Sequence, residues 1–565
     1  MRPLIHEIPT AHTPESLVEQ LLSRHAHVVM LRTGQFDLPS ARYSFVAANP
    51  FLTFRSFGSR CEVTHSPSVC CGVTSSASRS TQQQFGNPWH LLDSLMSRFE
   101  LLDEIDSPFP LGGAFGFWGY DLKNFTEPKL PRRAVNDLEL PDCHVGFYDS
   151  LVVFDHRLGR VSVVATGLDA DGSRSEARAG ERLEFWQKRL AGGAPISQSA
   201  RWPWPPLRAE KEFGAPIANI CRADFIAAVE RAQKYIRSGD IYQVNLSQRI
   251  TADFNAERRL PTRRVGEENS SKLRIGPLNR SCRREEASAE FRDGMFEPPH
   301  VGCHEVQGAE RGELEFGAPA LRGWELFVKL AAISPAPFSA FLDCGEFQIA
   351  SSSPEQFLRM SGPHIVTRPI KGTRPRDTDP TRDAQLAYEL QTNAKELAEL
   401  VMITDLLRND LGKVCEFGSV QTPEIAKLEK FAQVQHLVST VEGRLRNDVT
   451  HFAAFASCFP GGSITGAPKF RAMEIIDELE PVSRGPYCGA LGYLGFNRES
   501  QLSIIIRTAI CQPGAVHFHV GAGIVADSDA AAEYEETLAK ARGFLNAIDV
   551  AAFGRRLPST KKVAV

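Results

Sequence analysis

Residues 222 to 250, RADFIAAVERAQKYIRSGDIYQVNLSQRI, hold a helix, a stop and a strand in one short span. Phe225, Ile226, Val229, Ala232 and Ile236 recur at the spacing that lays one apolar stripe along a helix, and Gly239 ends it. From Ile241 to Ile250 the pattern changes to alternation, as a half-buried strand requires. Alternation returns at 347–350 and 502–510, and helical periodicity at 384–407 and 530–548. Strands and helices mix without a regular βαβ rhythm, which predicts an α+β fold rather than a doubly wound sheet.

The chain has 565 residues, too many for one ordinary core, so two domains or one unusually large unit are expected. Hydrophobic residues make up 42% and charged residues 23%, a globular balance with no apolar run near the roughly 18 to 20 residues that span a bilayer. The N-terminus, MRPLIHE, lacks the apolar core of a signal peptide, which predicts a cytoplasmic protein. Twelve cysteines form no C-x-x-C, so reduced thiols are expected and zinc is not. A net charge of −4 argues against nucleic acid as a partner, because phosphate binding needs a dense basic surface. Any anionic ligand must be attracted locally.

Three stretches interrupt the periodic pattern. Residues 66–84 are rich in Ser, Thr and Gln and read as a long loop. Residues 191–215 mix Gly, Pro and Trp and read as a linker between an N-terminal domain (1–190) and a second domain (216–550), with a tail at 551–565. Residues 255–319 are dense in Arg and Glu and poor in apolar side chains, which suits a disordered insertion within the second domain or, alternatively, a binding arm.

Chemistry concentrates at a few places. In RPIKGTRP, 368–375, Pro369 fixes the backbone and Gly372 opens space, so Lys371 and Thr373 can be presented to a ligand. A desolvated lysine is a nucleophile; a solvated one is an ordinary turn residue. Glu396 and Glu399 share one helix face, as do Glu533 and Glu536, and four carboxylates from two helices suit a hard cation such as Mg²⁺ as well as they suit solvent. Arg507 lies inside an Ile-rich run, where it must pair with a protein carboxylate or a ligand carboxylate. Gly521 and Gly523 let backbone amides approach an anion.

The succession IYQVNLSQR (241–249), SSSPE (351–355), RPIKGTRPR (368–376), ELAELVMITDLLRNDLGKV (396–414), VQHLVSTVEG (434–443), FPGGSITGAPKFRAMEII (459–476), RGPYCGALGY (484–493), IIIRTA (504–509) and VGAGIVADSDAAAEYEETLAKA (520–541) resembles the chorismate-utilising enzymes. The motifs run in the family's order across nearly all of 220–548. Residues 1–190, with Gly34 and Arg42-Tyr43-Ser44-Phe45, resemble the family's N-terminal domain less distinctively, and 255–319 has no counterpart.

This resemblance implies large antiparallel sheets packed as a β-sandwich with helices outside, as in anthranilate synthase component I. It implies Lys371 as nucleophile and Glu355 as general acid, and Mg²⁺ on Glu399 and Glu536 with Glu396 and Glu533 in support. Arg507, Tyr487, Gly521, Gly523 and Lys540 would hold the enolpyruvyl carboxylate, while Gly372, Thr373, Ser463 and His436 would line the ring. His436, in what reads as a helical apolar segment, can also be a core histidine.

Hydroxylating members carry a lysine base where this chain has Gln243, and anthranilate synthases usually have alanine at the position of Lys371. The resemblance is therefore to the aminodeoxychorismate synthase branch, which uses chorismate and ammonia. No glutaminase nucleophile motif is present, so a separate glutamine amidotransferase subunit is the expected partner.

Overall fold

A computed structural model describes residues 2–32, 41–66, 80–101, 106–191, 216–253, 320–431 and 434–549. The 255–319 insertion, the tail and all but the first residue of the 191–215 linker lie outside the described residues.

Two twelve-stranded sheets carry the fold, and every pairing between neighbouring strands is antiparallel. The first runs from Leu4–Glu7 through Val29–Arg32, then Phe338–Asp343, Thr508–Gln512, Ala515–Ile524 and Gln243–Asp253. The second runs from Ile370–Pro375 through Val434–Arg444, Gln356–Ser361, Glu499–Ile504 and Ala490–Gly495, then Gly113–Trp118 to Ser80–Phe85. Each sheet thus takes five of its twelve strands from residues before 191 and seven from residues after 216. The sequence division at 191–215 is no division of the sheets, since Phe341 pairs with Met30 and Tyr493 with Phe115 across it. The described residues form one compact unit for that reason.

The sheets face each other through an aromatic-rich core. Phe45 of the first meets Tyr493 of the second edge-on at 5.2 Å, and Phe117 meets Phe347 at 5.9 Å. A second core covers the outer face of the first sheet with Leu17, Trp186, Trp324 and Phe544 from four helices. The expected sandwich with outer helices is the observed architecture.

Several local expectations need correction. The 384–407 helix is two helices, Pro380–Thr392 and Ala394–Gly412, because Asn393 leaves the helical region and its side chain accepts from the Glu396 amide. The 502–510 strand is also two, Glu499–Ile504 in the second sheet and Thr508–Gln512 in the first, so residues 505–507 cross between sheets. His436 sits on the Val434–Arg444 strand, not a helix. The end of the 66–84 loop is an exposed edge strand, Ser80–Phe85.

Candidate active site

A cavity of about 520 Å³ opens where the Gln243–Asp253 and Ala515–Ile524 strands of one sheet approach the Ile370–Pro375 and Val434–Arg444 strands of the other. Helices Ala394–Gly412 and Ala530–Asp549 form its rim. Every residue singled out from the sequence lines it: Glu355, Lys371, Gly372, Thr373, Glu396, Glu399, His436, Ser463, Tyr487, Arg507, Gly521, Gly523, Glu533, Glu536 and Lys540.

Lys371 owes its place to a β-bulge. It pairs with Leu437 and Thr373 pairs with His436, so Gly372 is the extra residue, at φ +71°. A side chain there would meet Leu390 Cδ1 at 2.7 Å and the Glu396 carboxylate at 3.1 Å, in a conformation that already disfavours L residues. Thr373 Oγ1 and His436 Nδ1 share a 2.9 Å hydrogen bond. Burial drives the His436 pKa down to about 4, so the ring is neutral.

Lys371 and Glu355 are both shifted toward their uncharged forms. Burial lowers the lysine from its ordinary value against the pull of Glu399, whose carboxylate lies 4.0 Å away. Burial pushes Glu355 up to about 7, opposed by hydrogen bonds from Ser463 and the Ile370 backbone and by the charge of Lys371. The ion pair at 4.0 Å favours charge on Lys371, yet desolvation outweighs it, as expected where water is excluded.

Arg507 falls at the sheet-to-sheet crossing with φ +51°. No hydrogen bond or ion pair holds its guanidinium among the described residues, and burial lowers its pKa while Glu355 raises it. The protein-carboxylate alternative is therefore not the one adopted, and a half-buried cation with no ion-pair partner among the described residues, facing a cavity, suits an anionic ligand. Beside it Tyr487 stacks flat on His519 at 5.0 Å. Lys540 Nζ donates to the Gly521 carbonyl at 3.0 Å and pairs with Glu536 at 2.7 Å. Gly521 is required because an added Cβ would fall 2.7 Å from the Leu246 carbonyl.

Two of the four rim carboxylates, Glu399 and Glu533, are held above their ordinary range. Glu399 is raised by burial first, then by Glu396 and Glu536; Glu533 is raised by burial and by Glu536. A divalent cation would relieve this repulsion. Among the described residues no three His, Cys, Asp or Glu side chains stand close enough to enclose a metal alone. Such an open acidic rim fits Mg²⁺, which takes few protein carboxylates and completes its shell with water and substrate oxygens.

Sequence reasoning missed Asn245, Ser247, Arg484 and His519, which also line the cavity. Asn245 and Ser247 were findable, since they alternate with Gln243 on one strand. Gln243 itself donates to Glu399 Oε2 at 3.4 Å, while its other polar atom, Oε1, is buried without a partner.

A family model described as chorismate binding enzyme matches residues 53–272 and 303–546. The chain is 32% identical to aminodeoxychorismate synthase component 1 of Escherichia coli (strain K12), over 97% of this chain and 100% of that one. It is 33% identical to anthranilate synthase component 1 of Acetivibrio thermocellus, over 90% and 88%. The crystal structure of anthranilate synthase component I from Streptococcus pneumoniae TIGR4 superposes with a TM-score of 0.65 at 27% identity, covering 95% of this chain and 99% of that one. The chain belongs to the chorismate-binding enzyme family and is a chorismate-utilising enzyme. No helix of the described residues is long and apolar enough to cross a membrane.

Proposed function

We propose that the chain is the chorismate-aminating component of an aminodeoxychorismate synthase, converting chorismate and ammonia to 4-amino-4-deoxychorismate for p-aminobenzoate and folate synthesis. Ammonia would come from glutamine through a separate amidotransferase subunit in the cytoplasm. The observation that carries this reading is Lys371, a lysine desolvated at a bulge and facing a cavity beside Glu355, whose pKa is about 7.

The neutral Lys371 amine attacks ring carbon 2, the ring double bond shifts, and the 4-hydroxyl leaves as water with the proton of Glu355. Ammonia then adds at carbon 4, the double bond shifts back, and the carbon–nitrogen bond to Lys371 breaks. The secondary ammonium formed on Lys371 returns a proton to Glu355, and the departing amine takes one from the ammonium newly formed at carbon 4, so the balance is chorismate plus ammonia to aminodeoxychorismate plus water. Arg507, Tyr487, Lys540 and the backbone at Gly521 and Gly523 hold the enolpyruvyl carboxylate, and Gly372, Thr373, Ser463 and neutral His436 line the ring. Glu399 and Glu536, supported by Glu396 and Glu533, would hold Mg²⁺, which when bound supplies positive charge to the ring carboxylate.

Anthranilate synthesis is the second reading, favoured by relatives of that name at similar identity. Incubating purified protein with chorismate, Mg²⁺ and ammonia separates the two. Aminodeoxychorismate, convertible to p-aminobenzoate by an added lyase, is the expected product; anthranilate fluorescence without lyase overturns the proposal.

A further inference from the structure

Arg484 is part of the cavity wall with its side chain only 2% exposed, and no step of the proposed reaction uses it. All three nitrogens of its guanidinium donate hydrogen bonds. Nε donates to Glu480 Oε2 at 2.9 Å and Nη2 to Glu480 Oε1 at 2.7 Å, a bidentate ion pair. Nη1 donates to the Ile464 carbonyl at 3.0 Å, and Nη2 also reaches the Asn245 carbonyl at 2.8 Å. Glu480 Oε1 in turn accepts from the Ser247 amide at 2.8 Å and the Ser247 hydroxyl at 3.0 Å. The guanidinium also lies 4.7 Å from the Tyr120 ring centre and 5.8 Å from that of Tyr487.

These contacts converge on the Gly462–Ile464 turn, which presents Ser463. Ile464 is held by Arg484, and the Ser463 carbonyl is held by Asn245 Nδ2 at 3.1 Å, on the residue whose own carbonyl Arg484 binds. Ser463 lines the cavity together with Glu355, and its side chain draws the Glu355 pKa down against burial. A lysine in place of Arg484 would keep the charge but present a point donor, without the planar fork that reaches Glu480 and two carbonyls together.

We propose that Arg484, clamped by Glu480, is a positioning residue that fixes the Ser463 turn against Glu355, and so acts on catalysis through Ser463. This rests on the cavity being where chorismate turns over, but not on which amino product leaves it.

A double-mutant cycle on chorismate consumption tests it, with melting temperature recorded for each protein. Arg484→Lys is expected to lower kcat/KM by about tenfold or more in the wild-type background and by less than about threefold when Ser463 is already alanine. A merely structural role lowers the active fraction equally in both backgrounds. Equal losses in the two backgrounds, or wild-type kcat/KM for a folded Arg484→Lys, overturn the proposal. Should Arg484→Lys not fold, Glu480→Gln, which preserves shape while loosening the clamp, is carried through the same cycle with the same two outcomes. Because chorismate loss is the signal, a wild type that makes anthranilate refutes the product assignment and leaves this test intact.

Discussion

Glu355 pays for its role in a way that a titration can read. Its folded pKa of about 7 stands above the ordinary value of 4.5, mainly through burial. The sign follows from linkage: stabilisation is full below the unfolded value and is lost as pH rises through about 7, where the folded state must surrender a proton it holds well. Glu355→Gln, which is neutral throughout, is therefore expected to gain stability over wild type between pH 5 and 8, by on the order of 3 kcal/mol. Denaturant melts at the two pH values check it, and an unchanged difference would show that Glu355 is ionised in the folded protein. Sequence alone exposed Lys371 as a chemistry-bearing residue through its own motif, and Glu355 through the resemblance. It did not expose their protonation, which depends on burial that only the assembled sheets create.

The Ile370–Pro375 strand shows what a single element contributes. Gly372 occupies a left-handed position with no room for a methyl group. Gly372→Ala is expected to cost about 1–2 kcal/mol from the backbone alone, and to lower kcat/KM by more than that loss of stability explains, because removing the bulge turns Lys371 or Thr373 off the cavity. Activity measured well below the melting temperature separates the two effects. Elements were legible where periodicity was unbroken, as in Arg222–Arg237 and Gln243–Asp253. They were not legible where the break is backbone geometry. Ile504-Ile505-Ile506 reads as one strand although the chain changes sheets there, and Asn393 interrupts a helix whose apolar spacing continues across it. Glu480 and Arg484 carry no signal of burial in the sequence, yet the fold leaves their side chains only 6% and 2% exposed.

The two sheets are each shared between the halves of the chain, so neither half has a core of its own. Removing residues 1–190 is expected to yield insoluble protein or one without a cooperative melt, whereas an independent second domain would fold and melt normally. The acidic rim depends on the same assembly, since Glu399 rides on a helix packed against the second sheet and Glu536 on one packed against the first. Glu399→Ala or Glu536→Ala should abolish turnover at all Mg²⁺ concentrations with little change in melting temperature; wild-type activity across a Mg²⁺ titration in either variant removes the metal assignment. The claim on which the account turns is that Lys371 forms a bond to the substrate. Intact-mass spectrometry after rapid quench with chorismate tests it most directly: the account predicts a protein adduct of chorismate less water in wild type and none in Lys371→Met or Lys371→Arg, with both variants nearly inactive in ammonia-dependent synthesis. A Lys371→Arg enzyme that turns over at a near-normal rate without any adduct would contradict it.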